Sequence, residues 1–222
     1  MAKNKKEQFQ LENMNAKLAF VAQIFALVML AVVPLLPGTN GVYYNITVSK
    51  YVYFVVATSL FLVAEAYVLF GLGKGVKKSF KLSTPQWAIL AFMAWSFISA
   101  CVATKFSWHD KLIGQSRYEA LLSILLYGVI FLLLSLFIEH SNVYLYGLAA
   151  MSIILGLIAT MQCFGSRILY PGDYSYFSLS FLGTLGNIDC YSGVVSMLIP
   201  VLFGCFVFMD ADAGFARGGK KL

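Results

Sequence analysis

The sequence predicts an all-α fold, a polytopic bundle of about six transmembrane helices with both termini in the cytoplasm. Of the 222 residues, 60% are hydrophobic and only 12% are charged, which is too few charges to cover a soluble domain of this length. The apolar residues fall in blocks of roughly twenty, the length that crosses about 30 Å of hydrocarbon as a helix. Aromatic residues make up 16% of the chain, as is typical where Tyr and Trp lie at membrane interfaces.

Polar connections separate the predicted spans. The first apolar block runs from Leu18 to Leu36 without a charge, unlike the short apolar region of a secretory signal, so it is predicted to remain as a span. The polar segments 1–17 and 210–222 are predicted to be cytoplasmic. The transmembrane domain covers residues 18–209, and its predicted spans are residues 18–37, 51–73, 85–104, 119–138, 143–163 and 191–209.

Local signals mark several helix ends. Ser83-Thr84-Pro85 predicts the start of the third span, with a hydroxyl cap and then Pro in the first turn. The tight connection at residues 139–142 predicts that spans four and five are antiparallel neighbours. Pro200 lies mid-span in the sixth helix, where it removes one backbone hydrogen bond and predicts a kink.

The distribution of basic residues predicts the orientation. Eleven Lys and Arg residues lie on the side of the two termini and five on the other side, so the positive-inside rule places both termini in the cytoplasm. The net charge of +6 comes from lysines clustered at the ends of apolar blocks, not from a basic helix with interleaved aromatics. Membrane lipids, and not nucleic acid, are therefore the predicted partners of these charges.

Small residues recur at helical spacing in two spans. In span five, Ser152, Gly156 and Thr160 follow one another every fourth residue, a pattern that forms a groove where another helix approaches closely. In span three, Ser96 with Ala100 and Ser99 with Ala103 repeat the pattern. We interpret both as helix-packing seams.

Glu65 is the one ionisable residue deep within a predicted span. An intramembrane carboxyl group is costly, so its side chain is predicted to face the bundle interior or water. It is either a relay or polar contact with a function, or a protonated acid hydrogen-bonded to a neighbouring helix, and the sequence does not choose between these interpretations.

No metal site or cofactor is predicted. His109 and His140 lie on opposite sides of the membrane in this topology, and no cluster of His, Cys, Asp and Glu has ligand spacing. Cys163 and Cys190 fall at block ends on the outer side. A disulfide between them is compatible with the topology, but nothing in the spacing requires one.

The third connection, residues 105–118, is the most charged stretch on the predicted outer face. Arg117 lies at the start of span four, where helix amide groups point outward and a guanidinium group would complete a diphosphate clamp. The alternative is an interfacial anchor, with Arg117 on lipid phosphate and Trp108 and Tyr118 in the aromatic belt. The local chemistry alone favours the anchor.

Three further residues on the outer side are weaker site candidates. His109 is the residue type best suited to proton transfer near neutral pH, and Glu119 follows Arg117 at the start of span four. Arg167 lies in the longest connection, residues 164–190, among Tyr and Phe residues that stack on sugar rings or lie in the interface. No catalytic residue is assigned from these patterns.

Two of these stretches together resemble O-antigen ligase-like proteins. The sequence Gly114-Gln-Ser-Arg117-Tyr118-Glu119-Ala120 resembles the start of a middle span that typically reads Gly-Arg-aromatic-Glu-Gly in that family. The sequence Gly183-Thr-Leu-Gly186-Asn187, followed by apolar residues up to Pro200, resembles a Gly-Asn-Pro-Asn piece followed by a span that ends in Leu-Pro. This chain differs at Ala120, where Gly is usual, and at Ile188 and Asp189, where Pro and Asn are usual.

The resemblance implies a function in glycan assembly. Members of this family join or polymerise glycans carried on undecaprenyl diphosphate at the outer face of the bacterial inner membrane, without a metal or a nucleotide sugar. By resemblance, Arg117 neutralises the leaving diphosphate. The implied partners are membrane lipids, a polyprenyl-diphosphate-linked glycan and other envelope-assembly proteins.

Family members continue with a large outer loop that carries a catalytic His. This chain is therefore expected to be the N-terminal portion of such a protein, truncated within residues 210–222, and to lack glycosyl-transfer activity by itself. One alternative is a non-enzymatic multipass subunit or scaffold. Another is a small transporter, which predicts paired ionisable residues or broken helices at the midplane, where Glu65 alone offers little support.

Overall fold

A computed structural model describes residues 2–38, 46–72, 82–114, 118–139, 141–166, 183–185 and 188–208. This part of the chain is helical and contains no strand, which confirms the all-α prediction for the described residues. The α-helices are α1 (Ala2–Leu27), α2 (Ile46–Ala66), α3 (Thr84–Val102), α4 (Trp108–Leu112), α5 (Leu121–Phe137), α6 (Val143–Cys163) and α7 (Ile188–Phe208).

Three short helical segments extend the first two helices. A π-helical turn (Val28–Val32) and a 3₁₀ turn (Val33–Leu35) follow α1, and a second π-helical segment (Tyr67–Leu72) follows α2. Pro34 stands in the first turn of the 3₁₀ segment, where its missing amide hydrogen costs little. The π-helical turns are wider and the 3₁₀ turn is tighter than an α-helical turn, so each changes the direction of the side chains that follow it.

Within the described residues, four helical segments are long and apolar enough to cross a membrane: Gln8–Leu35, Ile46–Gly71, Thr84–Val102 and Val143–Cys163. Large apolar side chains on these segments point outward, as Trp95 (70% exposed) and Phe70 (77% exposed) show. A soluble protein rarely exposes contiguous apolar surface, so these helices indicate a membrane protein. The helices α5 and α7 have a shorter apolar core, and six spans with cytoplasmic termini stay a prediction.

Several helices begin at residues other than those that the sequence predicts, and α1, for example, begins at Ala2. Span two was predicted from residue 51, but α2 begins at Ile46 and includes Lys50. The charge does not end the helix because the Lys50 ammonium group donates hydrogen bonds to backbone carbonyls at the end of the first helix. The helix α4 lies within the predicted third connection, which the sequence analysis treated as a loop.

The start of α3 agrees with its sequence signal. Ser83 is the N-cap and Pro85 lies in the first turn. The Gln86 side chain folds back, so that its Oε1 accepts a hydrogen bond from the Ser83 amide at 2.7 Å. This reciprocal arrangement is a capping box, which satisfies amide groups that a helix start otherwise leaves unpaired.

The chain divides into two compact units. The first unit comprises Met1–Phe25 and Phe54–Glu139. Its core includes stripes on α1 and α2 whose members recur every third or fourth residue, the spacing of one helix face. Phe25 stacks on Phe61 with ring centroids 4.2 Å apart. The stripes contain Met14, Leu18, Ala22 and Phe25 on α1, Phe54, Thr58, Phe61 and Glu65 on α2, and Val68 on the π-helical segment that follows α2.

The same unit contains the packing of α3 against α5. A Cβ atom at Gly128 of α5 would lie 2.2 Å from the Met93 sulfur, so the glycine lets α3 approach closely. At the other end of this pair, the Gln86 amide nitrogen donates to the Ser135 hydroxyl at 2.7 Å. Gln86 is buried, and these bonds join its own helix start to α5.

The second unit comprises Ala26–Tyr53 and His140–Leu222. The π and 3₁₀ turns after α1 pack on α6 and α6 packs on α7. Gly147 of α6 faces Leu27 and Ala31, and a Cβ atom there would lie 3.1 Å from Leu27. The buried side chains of α6 are Met151, Leu155 and Ala159.

The seam predicted in span five lies next to this buried stripe. A Cβ atom at Gly156 would meet nothing within 4 Å, so no described helix approaches there. The hydroxyls of Ser152 and Thr160 instead donate to carbonyls of their own helix, Leu148 and Gly156. The large residues Met151 and Leu155 make the better core face, and the prediction that this seam packs a helix is wrong for the described residues.

Candidate functional site

An open groove of about 280 Å³ lies in the first unit between α3 and α5, with α4 at one end. It exists because α3 presents small side chains there. The Ser96 hydroxyl donates to the Phe92 carbonyl of its own helix at 2.9 Å. Because this hydroxyl is already bonded, the groove is less polar at Ser96 than a free hydroxyl would make it. The groove is lined by Trp95, Ser96, Ser99, Ala100, Ala103, Lys111, Leu121 and Ile124.

The short helix α4 places a cation at this groove. Ser107 is its N-cap and accepts a hydrogen bond from the Asp110 amide at 3.1 Å, while the Ser107 hydroxyl donates to the Asp110 carboxylate at 2.8 Å. One turn of helix then brings the Lys111 ammonium group to 4.6 Å from the centre of the Trp108 ring. Lys111 is the one charged side chain among the described residues that line the groove.

Two of the described residues between α4 and α5 have a positive φ. Gly114 has a φ of 86° and Tyr118 a φ of 56°, a left-handed conformation that is unusual for a bulky residue. The Ser123 hydroxyl, buried in the first turn of α5, donates to the Tyr118 carbonyl. Backbone strain of this kind costs on the order of 1–3 kcal/mol and is concentrated at functional sites.

The predicted site residues divide between described and undescribed parts of the chain. Arg117, Arg167 and His140 lie outside the described residues. Glu119 is exposed just before α5. The His109 side chain is 72% exposed, and its Nδ1 lies 3.8 Å from the Asp110 carboxylate, which is beyond hydrogen-bonding distance.

Asp110 therefore does not orient His109 as a catalytic carboxylate orients its histidine. Its carboxylate accepts from Ser107 instead. Among the described residues of this connection, no pair has the geometry of a general base and its orienting group.

Glu65 lies elsewhere in the first unit and does not line the groove. Its side chain is 1% exposed, on the α2 stripe that also buries Thr58. Because the span begins at Ile46 and ends at Gly71, Glu65 lies about 10 Å from its midpoint at 1.5 Å per residue. The midpoint of the predicted span 51–73 lies closer to Glu65, and the observed midpoint lies farther away because α2 starts five residues earlier than predicted. Thr58 occupies the middle.

A second polar cluster, which the sequence analysis missed, lies in the second unit. The Lys50 ammonium group donates to the carbonyls of Val33, Pro34 and Leu36 at 2.7, 3.0 and 2.5 Å. The Thr184 hydroxyl, fully buried, also donates to the Pro34 carbonyl. The signal was available, since a helix that ends at two prolines leaves carbonyls unsatisfied and a lysine follows nearby.

The remaining predictions concern cysteines and metals. The structure contains no disulfide between Cys163 and Cys190, both of which it describes. Across the described residues, no group of three or more His, Cys, Asp and Glu side chains could hold a metal ion.

The fold defines this chain as a helical membrane protein. Its first unit contains the groove between α3 and α5 and the strained backbone at Tyr118. No protein-family model, curated protein or solved structure matches the chain.

Proposed function

We propose that this chain is the N-terminal portion of a bacterial glycan ligase or polymerase-like membrane protein. It acts on an undecaprenyl-diphosphate-linked oligosaccharide at the outer face of the inner membrane. The observation that supports the proposal is the strained backbone of Tyr118, whose φ of 56° is rare for a bulky residue. Strain of this kind is concentrated at functional sites, and Tyr118 directly follows, in the sequence, the arginine that the family resemblance makes the diphosphate ligand.

The chemistry assigned to Arg117 is stabilisation of the leaving group. When a sugar moves from the carrier to an acceptor hydroxyl, the glycosidic bond to the diphosphate breaks and negative charge develops on the diphosphate oxygen. A planar guanidinium group binds such oxygens through two parallel hydrogen bonds. A base must accept the proton of the acceptor hydroxyl. His109 is a poor candidate because its side chain is exposed and no carboxylate lies within hydrogen-bonding distance to orient it.

The test is substitution of Arg117 in the bacterium that carries the gene. Arg117→Lys keeps the charge but loses the paired hydrogen bonds, so we expect shortened or unligated glycan chains at normal protein abundance. Arg117→Ala should abolish them. Lys105→Ala is the matched control, because Lys105 is an exposed cation of the same connection that does not line the groove. A wild-type glycan ladder from Arg117→Ala at normal abundance would overturn the proposal.

A second candidate function is a non-enzymatic subunit that binds another membrane protein. It is favoured by the face of α6 around Gly156, where a Cβ atom meets nothing within 4 Å and the neighbouring Ile153 and Leu157 are 63% and 59% exposed. A bulky Gly156→Leu change would block a helix that approaches this face. Loss of a co-purifying membrane protein in that variant, with normal glycans in Arg117→Ala, would favour the subunit over the enzyme.

A further inference from the structure

We propose that the groove between α3 and α5 is a binding site for one anionic phospholipid. Its acyl chain lies along the small residues of α3, and its phosphate group lies on Lys111. This site is separate from the glycan chemistry of Arg117 and does not require it.

The lining of the groove suits an apolar chain that enters from the side. Trp95, at the deep end, is 70% exposed, so the groove opens toward the surface that lipid covers. Ala100 and Ala103 leave space beside α3, and Leu121 and Ile124 of α5 form the opposite wall. The Ser96 hydroxyl is bonded within its own helix, so an acyl chain that covers it does not leave that group unsatisfied.

The length of the groove suits a lipid of one leaflet. Its α3 wall runs from Trp95 to Ala103, which is about 12 Å at 1.5 Å per residue. Half of the hydrocarbon core is about 15 Å. An acyl chain whose headgroup lies beside α4 therefore reaches the deep end of the groove within its own leaflet.

The charge at the groove suits a phosphodiester. Lys111 is the one charged side chain among the described lining residues, and a lysine ammonium binds phosphate as a point charge. One cation matches the single negative charge of a phosphatidylglycerol headgroup. The nearest carboxylate of α4, Asp110, accepts a hydrogen bond from Ser107 and faces His109. The start of α5 at Leu121 adds a helix N-terminus that favours negative charge.

Aromatic side chains fix the depth of α4. Trp108 is 57% exposed, and an amphipathic indole ring of this kind lies at the level of lipid headgroups. The apolar ring of Phe106 is also exposed, at 60%. The Lys111 ammonium group lies 4.6 Å from the Trp108 ring centre, so the cation is held at headgroup level. The groove, the cation and the aromatic belt thus fit a phospholipid at three points.

The test uses Trp95 as a reporter of groove occupancy. The purified chain, with Trp87 replaced by Phe and Trp108 by Tyr so that an amphipathic ring stays beside Lys111, is reconstituted in phosphatidylcholine vesicles that contain a small fraction of brominated lipid. Brominated phosphatidylglycerol should quench Trp95 at about one fifth of the fraction that brominated phosphatidylcholine needs, since one basic residue contributes roughly a fivefold preference. Equal quenching by the two lipids overturns the proposal.

Matched lysine variants assign the preference to the groove. Lys111→Gln should reduce the preference to about one, Lys111→Arg should retain it, and Lys105→Gln should leave it unchanged. An equal loss in Lys105→Gln would indicate general surface charge and would contradict a defined site. If Lys111→Gln fails to reconstitute, two other measurements test the charge at position 111. The preference for phosphatidylglycerol should be retained in Lys111→Arg and should be lost at high salt. Displacement of phosphatidylglycerol by an equal fraction of farnesyl diphosphate would overturn the choice of a phospholipid.

Discussion

At the scale of single residues, Lys50 shows how a charged side chain is accommodated within an apolar helix. Its ammonium group replaces water at three carbonyls at the end of the first helix. Two of them have a second donor, the Leu36 amide at Val33 and the Thr184 hydroxyl at Pro34. Charge-assisted bonds of this kind are stronger than neutral ones. The helix C-terminus also carries partial negative charge, which favours a cation.

Replacement of Lys50 should therefore destabilise the second unit. We expect Lys50→Met to lower the free energy of unfolding by about 1–3 kcal/mol, because buried carbonyls lose their donor. Thr184→Val should cost less, since its hydroxyl contributes one bond to the shared Pro34 carbonyl. Unfolding by denaturing detergent, followed by circular dichroism, measures both, with exposed Lys105→Met as the control. A Lys50→Met midpoint equal to that of Lys105→Met would contradict this account.

At the scale of elements, the pair α3 and α5 depends on one small residue. Gly128 lies directly beneath Met93, where a Cβ atom would meet the thioether at 2.2 Å. The Gln86–Ser135 bond also joins the pair. The helices α3 and α5 thus pack closely because Gly128 has no side chain.

A double-mutant cycle tests this contact. Gly128→Ala should cost about 1–3 kcal/mol through overpacking, and Met93→Ala in the same chain should recover part of the loss. Gly156→Ala is the matched control, because its Cβ atom meets open space. The control should be neutral or stabilising by up to about 1 kcal/mol, the difference in helix propensity. Equal losses at Gly128 and Gly156 would show that close packing is not the cause.

The sequence was informative about elements and less so about their faces. Hydropathy and the Ser83-Thr84-Pro85 signal located the helices, because both are local properties. The buried face of α6 was misplaced by one residue, from Gly156 to Leu155. A small-residue pattern shows where a helix could approach but not whether one does. The groove was also missed, because its lining combines α3 and α5 with Lys111 of α4, a helix of five residues that is capped by Ser107 and that hydropathy does not indicate.

For the whole molecule, the number of spans depends on whether α5 crosses the membrane. This helix has 17 residues, Leu121–Phe137, and is about 26 Å long at 1.5 Å per residue. The hydrocarbon core is about 30 Å thick, so α5 spans it only if the bilayer thins locally or flanking side chains reach the interface. The exposed Glu139 and the interfacial residues of α4 lie at its two ends.

We predict that α5 does cross, because six spans with the third and fourth connections on opposite sides give the eleven-to-five distribution of Lys and Arg that the positive-inside rule favours. Single cysteines at positions 77, 105 and 139, placed in a background without the four native cysteines, separate the alternatives. In intact cells, an impermeant thiol reagent should label Lys105→Cys alone. After permeabilisation, Lys77→Cys and Glu139→Cys should also react. Labelling of both Lys105→Cys and Glu139→Cys in intact cells would mean that α5 stays on one side. Labelling of Lys77→Cys instead of Lys105→Cys would reverse the orientation, and would place the groove and Arg117 on the cytoplasmic face, where the proposed glycan transfer does not occur.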